Sequence, residues 1–288
     1  MRCELKRKVF KENSLYLVTG EECSAGRTTL EVVGAAIRGG VDVVQMREKH
    51  LSPKELRELG TRLSELCAKN DVMFIVNDDP CIAKEVGADG VHLGQEDIKN
   101  WSLSSAREFV GQDGIIGIST HSVEEAAAAS SGDSDYIAFG PVFPTKTKDY
   151  FIGTRGIPEV LRISSKPVVF IGGICSDNID ELFSLGARNI AMIRHITAAP
   201  DIESRVRGIK QRMILSGGTK ARANVSINGK TEILEGRISI EKFIGIKGLI
   251  PEHVVIEHNS AIVPREKWNE VFLSGGDNVE IVSFVGGG

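Results

Sequence analysis

Cysteine pairs and long apolar runs are absent from this sequence. The five cysteines, Cys3, Cys23, Cys67, Cys81 and Cys175, form no CxxC pair and no metal-ligand spacing, which argues against a disulfide scaffold or a zinc site. No apolar run approaches the roughly 18 residues that span a bilayer, and the first residues lack the apolar segment of a signal peptide. We therefore expect a cytoplasmic protein with reduced thiols and no membrane partner.

An excess of positive charge is also lacking. The 288 residues carry 35 Lys and Arg against 39 Asp and Glu, a net charge of -4. Bulk electrostatics therefore gives no indication of nucleic-acid binding, and any anion site must be local. The apolar content of 41% is that of an ordinary globular protein.

Short apolar runs alternate with segments of helical periodicity through the first two thirds of the chain. The runs are LYLVT, VDVVQM, VMFIVND, GVHLG, IIGIST, YIAFGPVF, PVVFIGG and NIAMI. Near-continuous apolar runs suit strands that are buried on both faces, and their alternation with helices indicates βα units and a parallel sheet. Eight such units predict an α/β fold, a closed (β/α)8 TIM barrel.

The composition changes after the last of these units. SGGTKARA, residues 216–223, has small and basic residues without apolar periodicity and predicts a linker. The remainder reads as a hairpin about Asn228-Gly229, a short helix and further strands, which indicates a small α+β unit. The predicted organisation is a barrel over 1–215, a linker over 216–223 and a second domain over 224–288.

Charged residues cluster where the barrel strands end. Arg47 and Lys49 follow the second strand, Asp78 the third, Asp97 the fourth, and Lys148 the loop after the sixth. In a parallel barrel these ends meet at one mouth. Each residue by itself is equally compatible with a rim salt bridge, but the group together fits a diphosphate with Mg²⁺, which takes one or two carboxylates and completes its shell with phosphate and water oxygens.

Two further segments predict a second anion site. PTKTK supplies the hydroxyls of Thr145 and Thr147, and IGGI places Gly172 and Gly173 after strand seven, where barrels often hold a phosphate. Close packing is the alternative explanation of the glycine pair. Sites for a diphosphate and for a monophosphate imply a reaction that joins two phosphorylated substrates.

These strings resemble thiamine phosphate synthase. QMREK, NDD, GADGVHLGQED, GIST, GPVFPTKTK and IGGI occur in this order on the expected strands, over roughly Leu15 to Ile196. The resemblance implies a TIM-barrel transferase of thiamine biosynthesis that joins hydroxymethylpyrimidine diphosphate to a thiazole phosphate and releases pyrophosphate. Its mechanism is dissociative: a pyrimidinyl-methyl cation is captured by the thiazole nitrogen, and no protein nucleophile takes part.

The resemblance also implies roles for particular residues. The residues that would bind the pyrimidine diphosphate are Gln45, Arg47, Lys49, Asn77, Ser119 and Lys148; of these Arg47, Lys49 and Lys148 would stabilise the leaving group. Asp78 and Asp97 would hold Mg²⁺. Thr145, Thr147, Gly173, Ile193 and Arg194 occupy the thiazole-phosphate positions.

One position departs from the family pattern. MIRHI places Arg194 where the family usually has Ser. The guanidinium either strengthens a phosphate contact or fills the pocket. The alternatives for the barrel are a thiazole tautomerase, in which His121 would be the acid/base, and an inactive scaffold for the second domain.

The second domain resembles the sulfur carrier protein of thiamine biosynthesis, a ubiquitin-like β-grasp protein. SINGK, NSAIVPREKW and GDNVEIVSFVGGG carry the likeness over Asn224 to Gly288. It implies that the Gly288 carboxylate is adenylated by an E1-like adenylyltransferase, becomes a thiocarboxylate and serves thiazole synthase as sulfur donor. A tail without side chains, ending in Gly287 and Gly288, suits entry into a narrow catalytic channel. The chain is thus predicted to be bifunctional, and a homo-oligomer is left open.

Overall fold

Parallel strands close a barrel in the first of two units. The computed structural model describes residues 10, 13–146, 148–217, 222–235, 238–269, 271–273 and 276–283. The chain divides into a unit over Met1–Gly217 and a unit over Gly218–Gly288, each of which is described by itself.

The barrel strands follow one another in chain order. They are β1 Leu15–Val18, β2 Val43–Met46, β3 Met73–Asn77, β4 Gly90–Leu93, β5 Ile115–Thr120, β6 Tyr136–Phe139, β7 Val168–Ile171 and β8 Asn189–Met192. Each pairs in parallel with the next, and β8 pairs with β1 through Leu15 and Ile190. The predicted (β/α)8 TIM barrel is confirmed.

Helices connect the strands on the outside of the barrel. They are α1 Thr29–Gly39, α2 Pro53–Lys69, α3 Pro80–Glu85, α4 Leu103–Val110, α5 Val123–Ser131, α6 Ile157–Ile163, α7 Ile179–Ser184, α8 Arg194–Thr197 and α9 Ile202–Gly217. Local sequence explains where they begin. In α2, Ser52 and Glu55 form a reciprocal capping box with Pro53 at the first helical position, which satisfies backbone donors at the helix start.

The strands are apolar throughout because both of their faces are buried. Leu15 and Leu17 pack toward the helices, together with residues such as Leu63 of α2. Tyr16 and Val18, at the alternate positions of the same strand, pack in the barrel interior. This two-sided burial explains why the strands lack the alternation of polar and apolar residues typical of a half-exposed sheet.

The second unit is a β-grasp fold. Its strands are β9 Arg222–Ile227, β10 Lys230–Glu235, β11 Ile238–Ser239, β12 Val254–His258, β13 Ala261–Ile262, β14 Phe272–Leu273 and β15 Asn278–Ser283, and its helix is α10 Ile240–Ile246. The main sheet has the order β10-β9-β15-β12-β13, in which β9 and β15 are parallel. The core includes Phe243, Ile256 and Trp268. Positive φ angles at Asn228 and Gly229 confirm the predicted hairpin turn.

The helix α9 continues through Gly217, and β9 begins at Arg222. The segment between these elements is therefore shorter than the linker predicted over 216–223, because Ser216 and Gly217 extend the helix. No helix among the described residues has the length and apolar character needed to span a membrane.

Candidate functional site

A cavity of about 490 Å³ opens where the barrel strands end. Its lining combines residues that follow several strands. The predicted residues found there are Gln45, Arg47, Asn77, Ser119, Thr145, Lys148, Gly173, Ile193 and Arg194. The predicted residues Thr147 and Gly288 lie outside the described residues.

Lys49, Asp78 and Asp97 are not part of the cavity wall. The carboxyl groups of Asp78 and Asp97 nevertheless share a hydrogen bond. Burial, this hydrogen bond and the charge of Asp97 raise the pKa of Asp78 to about 7, whereas Lys49 and Arg47 act in the opposite direction. The fold therefore brings together the two carboxylates predicted to bind metal and sets two predicted cations close enough to act on them electrostatically.

The backbone around this carboxylate pair has an unusual geometry. Asp78 has a φ of 67°, a strained value for a residue with a Cβ, and its N–H donates to the carbonyl of His92 at 2.8 Å. The Asp97 carboxylate accepts from the N–H of Gly94 at 3.0 Å. A Cβ at Gly94 would lie 2.8 Å from that same oxygen, so a side chain at this position would displace the Asp97 carboxylate.

A Mg²⁺ ion fits the donors in this place. Hard oxygen ligands from one or two carboxylates, with the remaining positions left to substrate and water, are typical of magnesium sites. In the described part of the chain no group of three or more His, Cys, Asp and Glu side chains converges on a metal position. The assignment of Asp78 and Asp97 as the side chains that would hold the ion stays a prediction from the sequence.

A buried carboxylate fixes the loop that carries Arg47 and Lys49. Glu48 is buried and accepts from the Thr29 hydroxyl at 2.7 Å and from the N–H of Glu21 at 2.9 Å. The N–H of Arg47 donates to the Thr19 hydroxyl at 3.0 Å. Glu48 lies between Arg47 and Lys49, and its anchoring orders the loop that bears the two cations.

The other side of the cavity is built by the loops after β6 and β7. Thr145 and Lys148 are paired across a short antiparallel bridge. Gly173 has a φ of 64°, and a Cβ there would lie 2.3 Å from the carbonyl oxygen of Pro144. The glycine at 173 is therefore required for packing of the two loops, which was the alternative explanation from the sequence, while Gly173 also lines the cavity.

Arg194 begins α8 and is exposed at the cavity wall. The cavity remains open beside this exposed guanidinium. The location favours the first of the two sequence-based interpretations, in which Arg194 faces a bound anion, over the second, in which it fills the pocket.

His121 also lines the cavity. Its Nδ1 lies 2.6 Å from the carbonyl oxygen of Gly140, and because a carbonyl only accepts, Nδ1 carries the hydrogen. The main chain after β6 thus anchors the imidazole at the wall. His121 is a lining residue, and the contact by itself supplies no partner that would make it a general acid or base.

Sequence reasoning missed a set of polar residues inside the barrel. Tyr16, His92 and Tyr136 are buried and form a hydrogen-bonded series between Gln45 and Ser119. Burial lowers the pKa of His92 to about 4, so the imidazole is neutral near pH 7. The available signal was a tyrosine or histidine within each of the apolar runs LYLVT, GVHLG and YIAFGPVF.

The comparisons with known proteins divide the chain as the structure does. Residues 15–196 match the family model of thiamine monophosphate synthase, and residues 220–288 match the model of the ThiS family. The thiamine-phosphate synthase of Halalkalibacterium halodurans is 43% identical over 192 residues, which cover 66% of this chain and 90% of that protein. That of Persephonella marina is 40% identical over 202 residues, 69% of this chain and 95% of that protein.

A solved structure is similar to the barrel. Thiamine phosphate pyrophosphorylase from Pyrococcus furiosus superposes with a TM-score of 0.66 and 33% identity, over 72% of this chain and 98% of that protein. The strand-end motifs, the geometry of the mouth and these similarities agree. The chain belongs to the thiamine monophosphate synthase family through its barrel and carries a ThiS-family domain after it.

Proposed function

We propose that the barrel joins hydroxymethylpyrimidine diphosphate to a thiazole phosphate in a Mg²⁺-dependent reaction that yields thiamine phosphate and pyrophosphate. The observation that carries this proposal is the contact between Asp78 and Asp97, within electrostatic reach of Arg47 and Lys49. Two adjacent carboxylates can bind a metal ion, and two nearby cations can bind the diphosphate that the metal also contacts. A neutral substrate would need neither pair.

The two substrates would bind to different sets of residues in the site. Arg47, Lys49 and Lys148 neutralise the diphosphate, while Asn77, Gln45 and Ser119 contact the pyrimidine half. Thr145, Thr147, Gly173, Ile193 and Arg194 would bind the thiazole phosphate. Apart from Lys49, the described members of both sets line the same cavity, so the two substrates would meet inside it.

The reaction breaks one bond and makes one. The C–O bond between the pyrimidine methylene and the diphosphate breaks with its electron pair on the leaving oxygen, and the thiazole nitrogen lone pair forms the new C–N bond. Arg47, Lys49 and Lys148 stabilise the charge that develops on the departing pyrophosphate. Mg²⁺ held by Asp78 and Asp97 would add neutralisation of the same charge. No protein nucleophile is required.

The decisive experiment incubates the purified chain with both substrates and Mg²⁺ and measures thiamine phosphate. Product that disappears with EDTA and returns with added Mg²⁺ supports the proposal. Absence of product from folded protein that still binds the pyrimidine diphosphate contradicts it and favours a tautomerase or a scaffold for the second domain. The curated relatives cited above bear the synthase name, which favours the first outcome.

For the second domain we propose sulfur carriage as a thiocarboxylate on Gly288. The support is the match to the ThiS family over residues 220–288. Adenylation by an E1-like enzyme with ATP would activate the terminal carboxylate, and thiazole synthase would receive the sulfur. Intact-mass measurement after incubation with that enzyme, ATP and a sulfur source tests this: the replacement of one oxygen by sulfur is expected, and an unchanged mass contradicts it.

A further inference from the structure

A series of side-chain hydrogen bonds crosses the interior of the barrel. Gln45 Nε2 lies 3.0 Å from the Tyr16 hydroxyl, which lies 2.9 Å from the Tyr136 hydroxyl. The Tyr136 hydroxyl lies 2.9 Å from His92 Nδ1, and His92 Nε2 lies 2.9 Å from Ser119 Oγ. Gln45 and Ser119, the two ends, both line the substrate cavity.

The two tyrosines in the middle of the series are excluded from solvent. Tyr16 and Tyr136 are 2% and 0% exposed, and His92, which is 7% exposed, also lines the cavity. Among the described residues no buried side-chain nitrogen or oxygen lacks a hydrogen-bond partner. Each hydroxyl therefore has to place its single hydrogen within the series, since leaving a buried polar group unpaired costs about 1–3 kcal/mol.

The direction of the series follows from counting hydrogens. Gln45 Nε2 is a donor, so Tyr16 accepts from it and places its own hydrogen on Tyr136. Tyr136 then donates to His92 Nδ1. A neutral imidazole has one N–H, which must be on Nε2 and donates to Ser119 Oγ.

The two ends consequently present opposite groups to the cavity. Gln45 has its Oε1 left as an acceptor, and Ser119 has its hydroxyl hydrogen left as a donor. Reversing one end would require every member of the series to reverse, because no hydroxyl in it has a second hydrogen. The series couples two substrate-binding residues that come from β2 and β5.

We propose that Tyr16, Tyr136 and His92 are specificity-determining positioning residues that set Gln45 as acceptor and Ser119 as donor, so that the site selects an aminopyrimidine over its oxo analogue. The inference deepens the proposed synthase function and rests on it. An aminopyrimidine offers an amino donor beside ring-nitrogen acceptors. Its 4-oxo analogue offers the reverse pair, an acceptor oxygen beside a ring N–H.

The test measures kcat/KM for the full chain with hydroxymethylpyrimidine diphosphate and with its 4-oxo analogue. We expect the wild-type protein to prefer the amino compound by on the order of 10⁴-fold, as sites built to pair a polar group reject its mismatch. Tyr136→Phe keeps the ring and removes the hydroxyl, which breaks the series. We expect it to lower the preference by about 10-fold or more, the effect of one buried unpaired group.

The matched control is Tyr150→Phe, which removes a hydroxyl from a tyrosine outside the series and keeps its ring. It should retain the wild-type preference. A Tyr136→Phe protein that loses activity equally on both compounds, with the preference intact, overturns the inference and assigns the hydroxyl to structure alone. Wild-type protein that makes no thiamine phosphate at all refutes the synthase function itself, so the two failures are distinguishable.

A second measurement does not depend on turnover. Nitrogen-15 NMR of the imidazoles, with His92 assigned through His92→Gln, reports which ring nitrogen carries the hydrogen. The Nε2–H form of neutral His92 in the complex with hydroxymethylpyrimidine diphosphate supports the inference. The Nδ1–H form or an imidazolium overturns it.

Discussion

The carboxyl groups of Asp78 and Asp97 share a hydrogen bond although they follow different strands of the barrel. Partial burial, this hydrogen bond and the charge of Asp97 raise the pKa of Asp78 to about 7. The fold holds two carboxylates together, and one of them tends to keep a proton. A divalent cation bound between them would offset their repulsion, which is the arrangement expected of a metal site.

Replacement of one of these carboxylates should weaken the response to Mg²⁺. Asp78→Asn keeps the size of the side chain and removes its charge, so we expect kcat/KM to fall on the order of 10²-fold or more, since charge stabilisation of the leaving group is lost. A Mg²⁺ titration of the rate should show a higher half-saturating concentration. Glu58→Gln on α2, an exposed carboxylate that pairs with Lys54, is the control. An unchanged Mg²⁺ titration in Asp78→Asn would remove the metal role from this residue.

Loss of the Lys148 ammonium should slow pyrophosphate departure. Lys148 lines the cavity and lies in the loop after β6. We expect Lys148→Ala to lower kcat on the order of 10²-fold, because an ammonium directed at developing charge acts mainly in the transition state. Single-turnover release of pyrophosphate measures the step. Lys99→Ala, whose ammonium pairs with Glu96 at the surface, should match wild type, and equal rates in both variants would contradict the assignment.

Removal of the Arg194 guanidinium distinguishes its two interpretations. If the exposed side chain contacts the thiazole phosphate, Arg194→Ser should raise KM for that substrate about 10-fold through loss of a charge-assisted hydrogen bond and leave kcat nearly unchanged. If it fills the pocket, KM should fall. Initial-rate kinetics with varied thiazole phosphate decides between the two directions.

Deletion of the last two glycines should separate the two functions. Without Gly287 and Gly288 the chain ends at residue 286, so an E1-like enzyme has no glycyl carboxylate to adenylate and no thiocarboxylate should form. Thiamine phosphate formation should equal that of the full chain. Intact-mass measurement and a synthase assay on one preparation report thiocarboxylate formation and thiamine phosphate formation. A thiocarboxylate that still forms in the truncated chain would contradict the assignment of the sulfur to Gly288.

Truncation of a core leucine in α2 should destabilise the barrel. Leu63 has no exposed surface and packs in the layer between helices and strands. Leu63→Ala should lower the free energy of unfolding by about 2–5 kcal/mol. Leu215→Ala, at a side chain that is 85% exposed, should change it by less than about 0.5 kcal/mol. Denaturant unfolding of both variants followed by circular dichroism provides the comparison, and equal midpoints would contradict the packing described here.

Much of the fold was readable from the sequence because local patterns decide it. Apolar runs separated by capped helices indicate a parallel barrel, and the Asn228-Gly229 pair marks a hairpin. The strand-end motifs also placed Arg47, Asn77 and Lys148 at the mouth, since parallel strands bring all their carboxyl ends to one rim. These features depend on residue type and spacing alone.

Other features were decided only by tertiary structure. The contact between Asp78 and Asp97 depends on how two loops bend, including the positive φ at Asp78. The series from Gln45 to Ser119 joins residues on β1, β2, β4, β5 and β6, and no local pattern states which interior side chains of a closed barrel come within hydrogen-bond distance. The sequence determined the barrel, the β-grasp domain and the residues at the mouth, whereas barrel closure and register decided which of them act together, because hydrogen bonds require distances that spacing along the chain does not set.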